Sequence, residues 1–113
     1  MSLIISVYVN EGIVMASDSR LTLNVSTPII GSIVSNNAIP FSDTTQKIFI
    51  CPNKCGISTC GNASYNNKPI AGYINQFISG LSKKTLVSEI PQLLIDFFNK
   101  LNSNEITVFQ VCG

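Results

Sequence analysis

An α+β domain built on antiparallel strands is what this sequence predicts, and three patterns predict it. Short Ile- and Val-rich runs stand at both ends of the chain, Leu3 to Val9 and Ile13 to Ala16 near the start and Glu105 to Val111 near the finish. A compact polar turn, Asn10-Glu11-Gly12, joins the first two runs as a hairpin turn would. Between the early and late runs lie two stretches whose apolar residues recur at offsets of three and four, the spacing of amphipathic helices. Strands, two helices and a closing strand describe a sheet with helices on one of its faces.

Each element has its own warrant. The runs Leu3 to Val9 and Ile13 to Ala16 are nearly continuous in apolar character, as expected of strands buried on both faces. From Leu21 to Gln46 the chain loosens into Ser, Thr, Asn, Pro and Gly, which predicts a long loop containing an extra hairpin. Lys47 to Cys51 and Cys55 to Cys60 then form a strand pair about the turn Pro52-Asn53-Lys54. The first helical stripe is Ile70, Tyr73, Ile74, Phe77, Ile78 and Leu81, with Pro69 tolerated in the first turn. In the second, Leu86, Ile90, Leu93, Leu94, Phe97, Phe98 and Leu101 share a face; Ser88 is preferred to Thr85 as its cap because Pro91 then falls in the first turn. Both stripes are packing faces for a sheet. Ile106, Val108, Phe109 and Val111 carry the last strand.

Composition excludes several classes. At 113 residues the chain is a single domain, able to bury roughly two thirds of its unfolded surface. Charged residues make up 12% and apolar residues 45%, against about 25% charged in an average protein, so surfaces covered by other protein are expected. A net charge of +1 without a Lys/Arg cluster offers nothing to a nucleic acid. No apolar run approaches the roughly 20 residues of a membrane span and no leader-like segment opens the chain, so a cytoplasmic protein with no membrane partner is expected. Four cysteines and no histidine argue against zinc, since Cys51, Cys55 and Cys60 form one irregular group and Cys112 stands alone. Buried thiols are the first expectation for them, a Cys51–Cys55 cross-strand disulfide the second and a metal site the third.

The run Gly12-Ile13-Val14-Met15-Ala16-Ser17-Asp18-Ser19-Arg20, answered by Lys47-Ile48-Phe49 and then Cys60-Gly61, resembles the proteasome-like branch of the N-terminal nucleophile (Ntn) hydrolases. The resemblance implies antiparallel sheets in an α/β/β/α sandwich, of which this chain supplies about half, a sheet and two helices. It covers essentially all of 1–113, read as one proteasome-like domain truncated at its C-terminus. Either a continuation of the chain or a second copy would supply the missing layer, which makes a homo-oligomer the expected assembly.

The chemistry the resemblance implies needs no histidine, metal or organic cofactor. The hydroxyl of the first residue attacks an amide carbonyl, and the free α-amine of the same residue accepts the proton. Counting back from Asp18 puts Ser2 at the nucleophile position once Met1 is removed; with Met1 retained the amine is blocked and the chain is expected to be inactive. Lys47 is the cation that lowers the nucleophile's pKa, Asp18 holds Lys47, and the Gly61 N–H matches the oxyanion position. Thr22 matches the edge residue that pairs with an extended substrate, and Leu21, Thr59 and Ala63 match the walls of a side-chain pocket. A threonine/serine-type peptidase or amidase acting in proteolysis is therefore the leading expectation. A catalytically silent proteasome-like subunit and a hydrolase of small amides are the alternatives.

Taken alone, the same residues have plainer readings. Asp18 and Lys47 make an ordinary ion pair, Gly61 relieves crowding before a helix, and Ser2 follows a Met-Ser-Leu start that an expression vector can add. The chain also departs from the family pattern. The interval from Asp18 to Lys47 is long, and Ser6 stands where a glycine is usual.

Overall fold

The computed structural model describes residues 2–29, 33–101 and 105–113, with backbone alone for 23–29 and 33–39. Its strands are β1 (Ile4–Val9), β2 (Gly12–Ser17), β3 (Leu21–Ile29), β4 (Ile33–Ser42), β5 (Ile48–Ile50), β6 (Gly56–Gly61), β7 (Ser64–Tyr65), β8 (Lys68–Pro69) and β9 (Thr107–Cys112). Two helices, α1 (Ile70–Ser79) and α2 (Ile90–Asn99), follow β8. The fold is mixed α+β, with small antiparallel sheets.

The centre of the molecule is the sheet β5-β6-β9. Its register sets Phe49, Ile57 and Val111 side by side on one face, with Thr59 beside Phe109 in the next row. Both helices pack there. α1 buries Ile70, Ile74 and Phe77, and α2 buries Ile90, Leu94 and Phe98, each the single stripe that the periodicity predicts. Phe98 is the hub of the aromatic contacts, with ring centroids 5.2 Å from Tyr65 and 5.0 Å from Phe109.

Helix starts differ in detail from the sequence expectation. Pro69 is the residue before α1, in an extended conformation that closes β8, so its missing N–H is never asked to enter the helix. A 3-10 turn, Val87–Glu89, precedes α2, and the Glu89 carboxylate accepts the Leu86 N–H at 2.8 Å. Ser88 therefore lies inside that turn instead of capping α2, while Pro91 does occupy the first turn.

The β1–β2 hairpin is a separate two-stranded sheet laid on the opposite face of β5-β6-β9. Met15 Sδ sits against Gly56, where a Cβ would collide with it, and Cys112 Sγ donates to Ser6 Oγ at 3.5 Å. These contacts make Ile4, Ser6, Ile13 and Met15 the inner, half-buried face. The expectation of strands buried on both faces is corrected by the outer face, where Leu3, Ile5, Val7, Val9 and Val14 are exposed. The hairpin has a neighbouring layer on one side only, and a continuous apolar run cannot reveal which residues face it.

The expected extra hairpin is β3–β4, with a register irregularity between Leu21 and Thr22; residues 30–32 lie outside the described residues, as does Met1. Cys51 and Cys55 are buried free thiols on either side of the Pro52-Asn53-Lys54 turn, and the Cys51 N–H donates to the Cys55 carbonyl at 2.8 Å. Burial pushes both thiols up in pKa, with Cys55 adding to the rise at Cys51 and an Asn53 hydrogen bond opposing it at Cys55. Among the described residues no helix is long and apolar enough to cross a membrane.

If the helix-facing side of β5-β6-β9 is the folding core, Ile74→Ala should lower unfolding free energy by about 2–5 kcal/mol in urea titrations. Val14→Ala, on the exposed outer face, should change it by less than about 0.5 kcal/mol. Equal losses at both positions would show that the outer face is buried in the protein's working state.

Candidate active site

Asp18 follows β2 directly, and its backbone continues the hairpin pairing by donating to the Leu3 carbonyl at 3.2 Å. Its carboxylate then does two things at once. Oδ1 accepts the Leu3 N–H at 2.8 Å, and Oδ2 accepts from Lys47 Nζ at 2.8 Å. The amide that joins Ser2 to Leu3 is thus fixed by the same group that fixes Lys47. The Lys47 hydrogen bond, and after it the Leu3 amide, hold the Asp18 carboxyl below its ordinary pKa, against a smaller opposing effect of burial.

Lys47 is 7% exposed, so its ammonium must find acceptors within the protein. Besides Asp18 it has the Arg20 carbonyl, at 2.7 Å. An ammonium carries three N–H bonds, and these two contacts account for two of them among the described residues. The Arg20 carbonyl is itself positioned by a brace. Arg20 Nε donates to Asp43 Oδ1 at 2.8 Å, Ser19 Oγ donates to the Asp43 carbonyl, and the Thr45 N–H donates to the Ser19 carbonyl at 2.9 Å. This brace closes the base of the β3–β4 hairpin and delivers the chain to Lys47. Asp43 in turn raises the Arg20 pKa.

Gly61 ends β6 with φ at +105°, a conformation that side-chain-bearing residues rarely adopt, and a Cβ there would stand 2.9 Å from the Ile106 carbonyl oxygen. The Thr59 N–H donates to the Lys47 carbonyl at 3.0 Å. Amides two apart on a strand point to the same edge, so the Gly61 N–H is directed to the β5 side of the sheet, beyond the end of that strand.

A cavity of about 720 Å³ opens at this place. Ser2, Lys47 and Gly61 line it, and so do Leu21, Thr22, Thr59 and Ala63. Every residue singled out from the sequence meets in this one space except Asp18, which stands behind Lys47 and shapes the site through it. Thr59 is 5% exposed, while Ser2, Leu21, Thr22 and Ala63 are half-buried.

Some of the wall was not anticipated. The tight hairpin β7–β8 intervenes between Gly61 and α1, contributing Ser64, Lys68 and Pro69, with Asn67 at its tip. Its two-residue loop is Asn66-Asn67, with φ of 49° and 59°, and paired positive φ values are what such loops require and Asn tolerates best after Gly. The Asn-Asn pair was the available signal. Phe41, Arg20 and Glu105 complete the enclosure from β4, the brace and the approach to β9. Among the described residues no three His, Cys, Asp or Glu side chains gather closely enough to hold a metal ion.

No family model, curated protein or solved structure matches this chain.

The Asp18 carboxyl has a lower pKa folded than unfolded, so the unfolded state binds the extra proton and stability from this group is full above the ordinary value of 3.8. It is lost as pH falls through the folded value. In thermal unfolding across an acid pH series, the stability gap between the native chain and Asp18→Asn should be widest near neutrality and close below pH 3.8. A gap that is independent of pH would refute the Asp18–Lys47 lock as drawn.

Proposed function

We propose that the chain is an N-terminal nucleophile amide hydrolase of the proteasome-like type, with Ser2 as nucleophile after removal of Met1. The observation that carries this reading is the convergence of Ser2, Lys47 and Gly61 on one cavity, with Asp18 bonded to both Lys47 and the Leu3 amide. A lysine kept for its charge alone would be expected at the surface. Here it is buried, held by two acceptors, and lines the same cavity as Ser2.

In this reading Ser2 Oγ attacks the amide carbonyl carbon and its proton passes to the Ser2 α-amine. The Lys47 ammonium stabilises negative charge developing on the serine oxygen, and the Gly61 N–H stabilises that on the carbonyl oxygen. The C–N bond breaks, the leaving amine takes the proton from the α-amine, and water then cleaves the ester. Thr22, at the irregular start of β3, would pair with an extended substrate strand in this reading.

The layer order supports the same reading. Helices, the β5-β6-β9 sheet and the β1–β2 hairpin are successive layers, as in three of the four layers of an α/β/β/α sandwich. The exposed row Leu3, Ile5, Val7, Val9 and Val14 lies where the fourth would rest. That row also favours a second reading, an assembly subunit of the same fold without catalysis.

The test is the intact mass of the protein, made without added N-terminal residues, before and after treatment with a β-lactone. The hydrolase reading expects loss of Met1 and a single adduct on Ser2, with labelling abolished in Ser2→Ala and slowed by about 100-fold in Lys47→Ala. Retained Met1 with no adduct leaves the assembly reading.

A further inference from the structure

The two layers that meet at Met15 and Gly56 part again at the end of the stack that holds the β1–β2 turn and the Pro52-Asn53-Lys54 turn. A second cavity, of about 530 Å³, lies between them there. It shares no wall residue with the cavity that contains Ser2 and Lys47.

The register shows which side chains look into it. Ser6 and Met15 are cross-strand partners and face the central sheet, through Cys112 and Gly56 respectively. Residues two apart on a strand share a face, so Tyr8 and Ile13, also partners, belong to the same inner face. On the central sheet Gly56 stands opposite both Ile50 and Cys112, and Ile48 lies two residues before Ile50. Tyr8, Ile13, Met15, Ile48, Ile50 and Cys112 therefore converge from two facing sheets, and all six line the cavity. Two of them are bare where an inner face would be covered. Tyr8 is 79% and Ile50 80% exposed, whereas Phe49, the preceding residue on the helix side, is 1% exposed. A concave apolar wall of this kind, in the range of about 300–1,000 Å³, is what small-molecule sites are made of.

Charge decides which end of a ligand belongs where. Lys54 is the one charged side chain in the described wall. It belongs to neither the Arg20–Asp43 nor the Lys47–Asp18 pair, and no carboxylate of the described residues stands within ion-pair distance of it. Glu11, on the β1–β2 turn, is not part of the wall. The backbone at Lys54 is held by its own turn, with φ at 66° and the N–H donating to the Cys51 carbonyl at 3.0 Å. An unpaired cation beside an apolar slot matches a molecule with an apolar body and a negative end.

We propose that this interlayer cleft binds a free, single-chain carboxylic acid, with the acyl chain between the two sheets and the carboxylate on Lys54. Stacked sheets stand about 10 Å apart, a spacing that suits an extended chain. The site does not depend on whether Ser2 is a nucleophile.

Calorimetry of the full chain with octanoate, decanoate and dodecanoate, each kept below its micelle-forming concentration, reads the apolar half. Kd should fall by up to about fourfold for each methylene added, the worth of burying one CH2 group. Decanol in place of decanoate reads the charged half. The acid should bind about fivefold more tightly than the alcohol, the upper worth of an ion pair open to solvent, and Lys54→Met should remove that difference while decanol still binds. Ile50→Glu should weaken decanoate by about tenfold or more, and Val7→Glu, on the outer face of the hairpin, should change its Kd by less than about twofold. Ile50→Ser takes the place of Ile50→Glu should a thermal melt show the latter unfolded. Absence of binding, an affinity indifferent to chain length, or equal binding of acid and alcohol by the native chain overturns the proposal. So does a loss caused by Val7→Glu and not by the change at Ile50, which would put the acid on the outer apolar row.

Discussion

The double attachment of the Asp18 carboxylate is the constraint on which the rest of the site depends. One oxygen holds the Leu3 amide and the other holds Lys47, so a single side chain joins the start of β1, the end of β2 and the approach to β5. Burying an ammonium to 7% exposure is costly unless acceptors replace its water. Asp18 and the Arg20 carbonyl are those acceptors, and each is supplied by a different local device. The hairpin register delivers Asp18, and the Arg20–Asp43 brace delivers the carbonyl.

The stacking of two sheets explains why that junction is possible. Lys47 immediately precedes β5, whereas Asp18 immediately follows β2, and these strands belong to different layers. The layers touch where Met15 Sδ lies against Gly56, in the space that a Cβ at 56 would take. On the far side of the hairpin the same alternation leaves Leu3, Ile5 and Val7 facing outward, an apolar surface that matches the scarcity of charge in the composition.

Legibility followed the strength of the local physical signal. The helices were readable because a stripe such as Ile70, Ile74 and Phe77 is specified by spacing alone. The division into two sheets was not, since uninterrupted runs such as Ile4 to Val9 do not say which face is inside. Ser88 misled because a side-chain cap competes with the reach of Glu89 back to Leu86, and the carboxylate won. In the site, residue types carried what signal there was: Lys47, Gly61 and the pocket residues line one cavity, and Asp18 bonds to Lys47. Backbone groups carry no such mark. The roles of the Leu3 N–H and the Arg20 carbonyl are therefore visible only in the fold, whereas the Asn66-Asn67 pair did carry a turn signal.

An ion pair of purely structural use and one that serves a nucleophile look alike in a list of distances; they differ in what they are coupled to. The most direct discrimination is a double-mutant cycle on the rate of β-lactone acylation at the proposed nucleophile, Ser2, using Asp18→Asn, Lys47→Met and the combination. If Asp18 acts through Lys47, each single change should slow acylation by about 100-fold and the double change should slow it hardly further, as for residues that work as a unit. Acylation rates that stay unchanged while the melting temperature falls, or losses that simply multiply, would contradict the account.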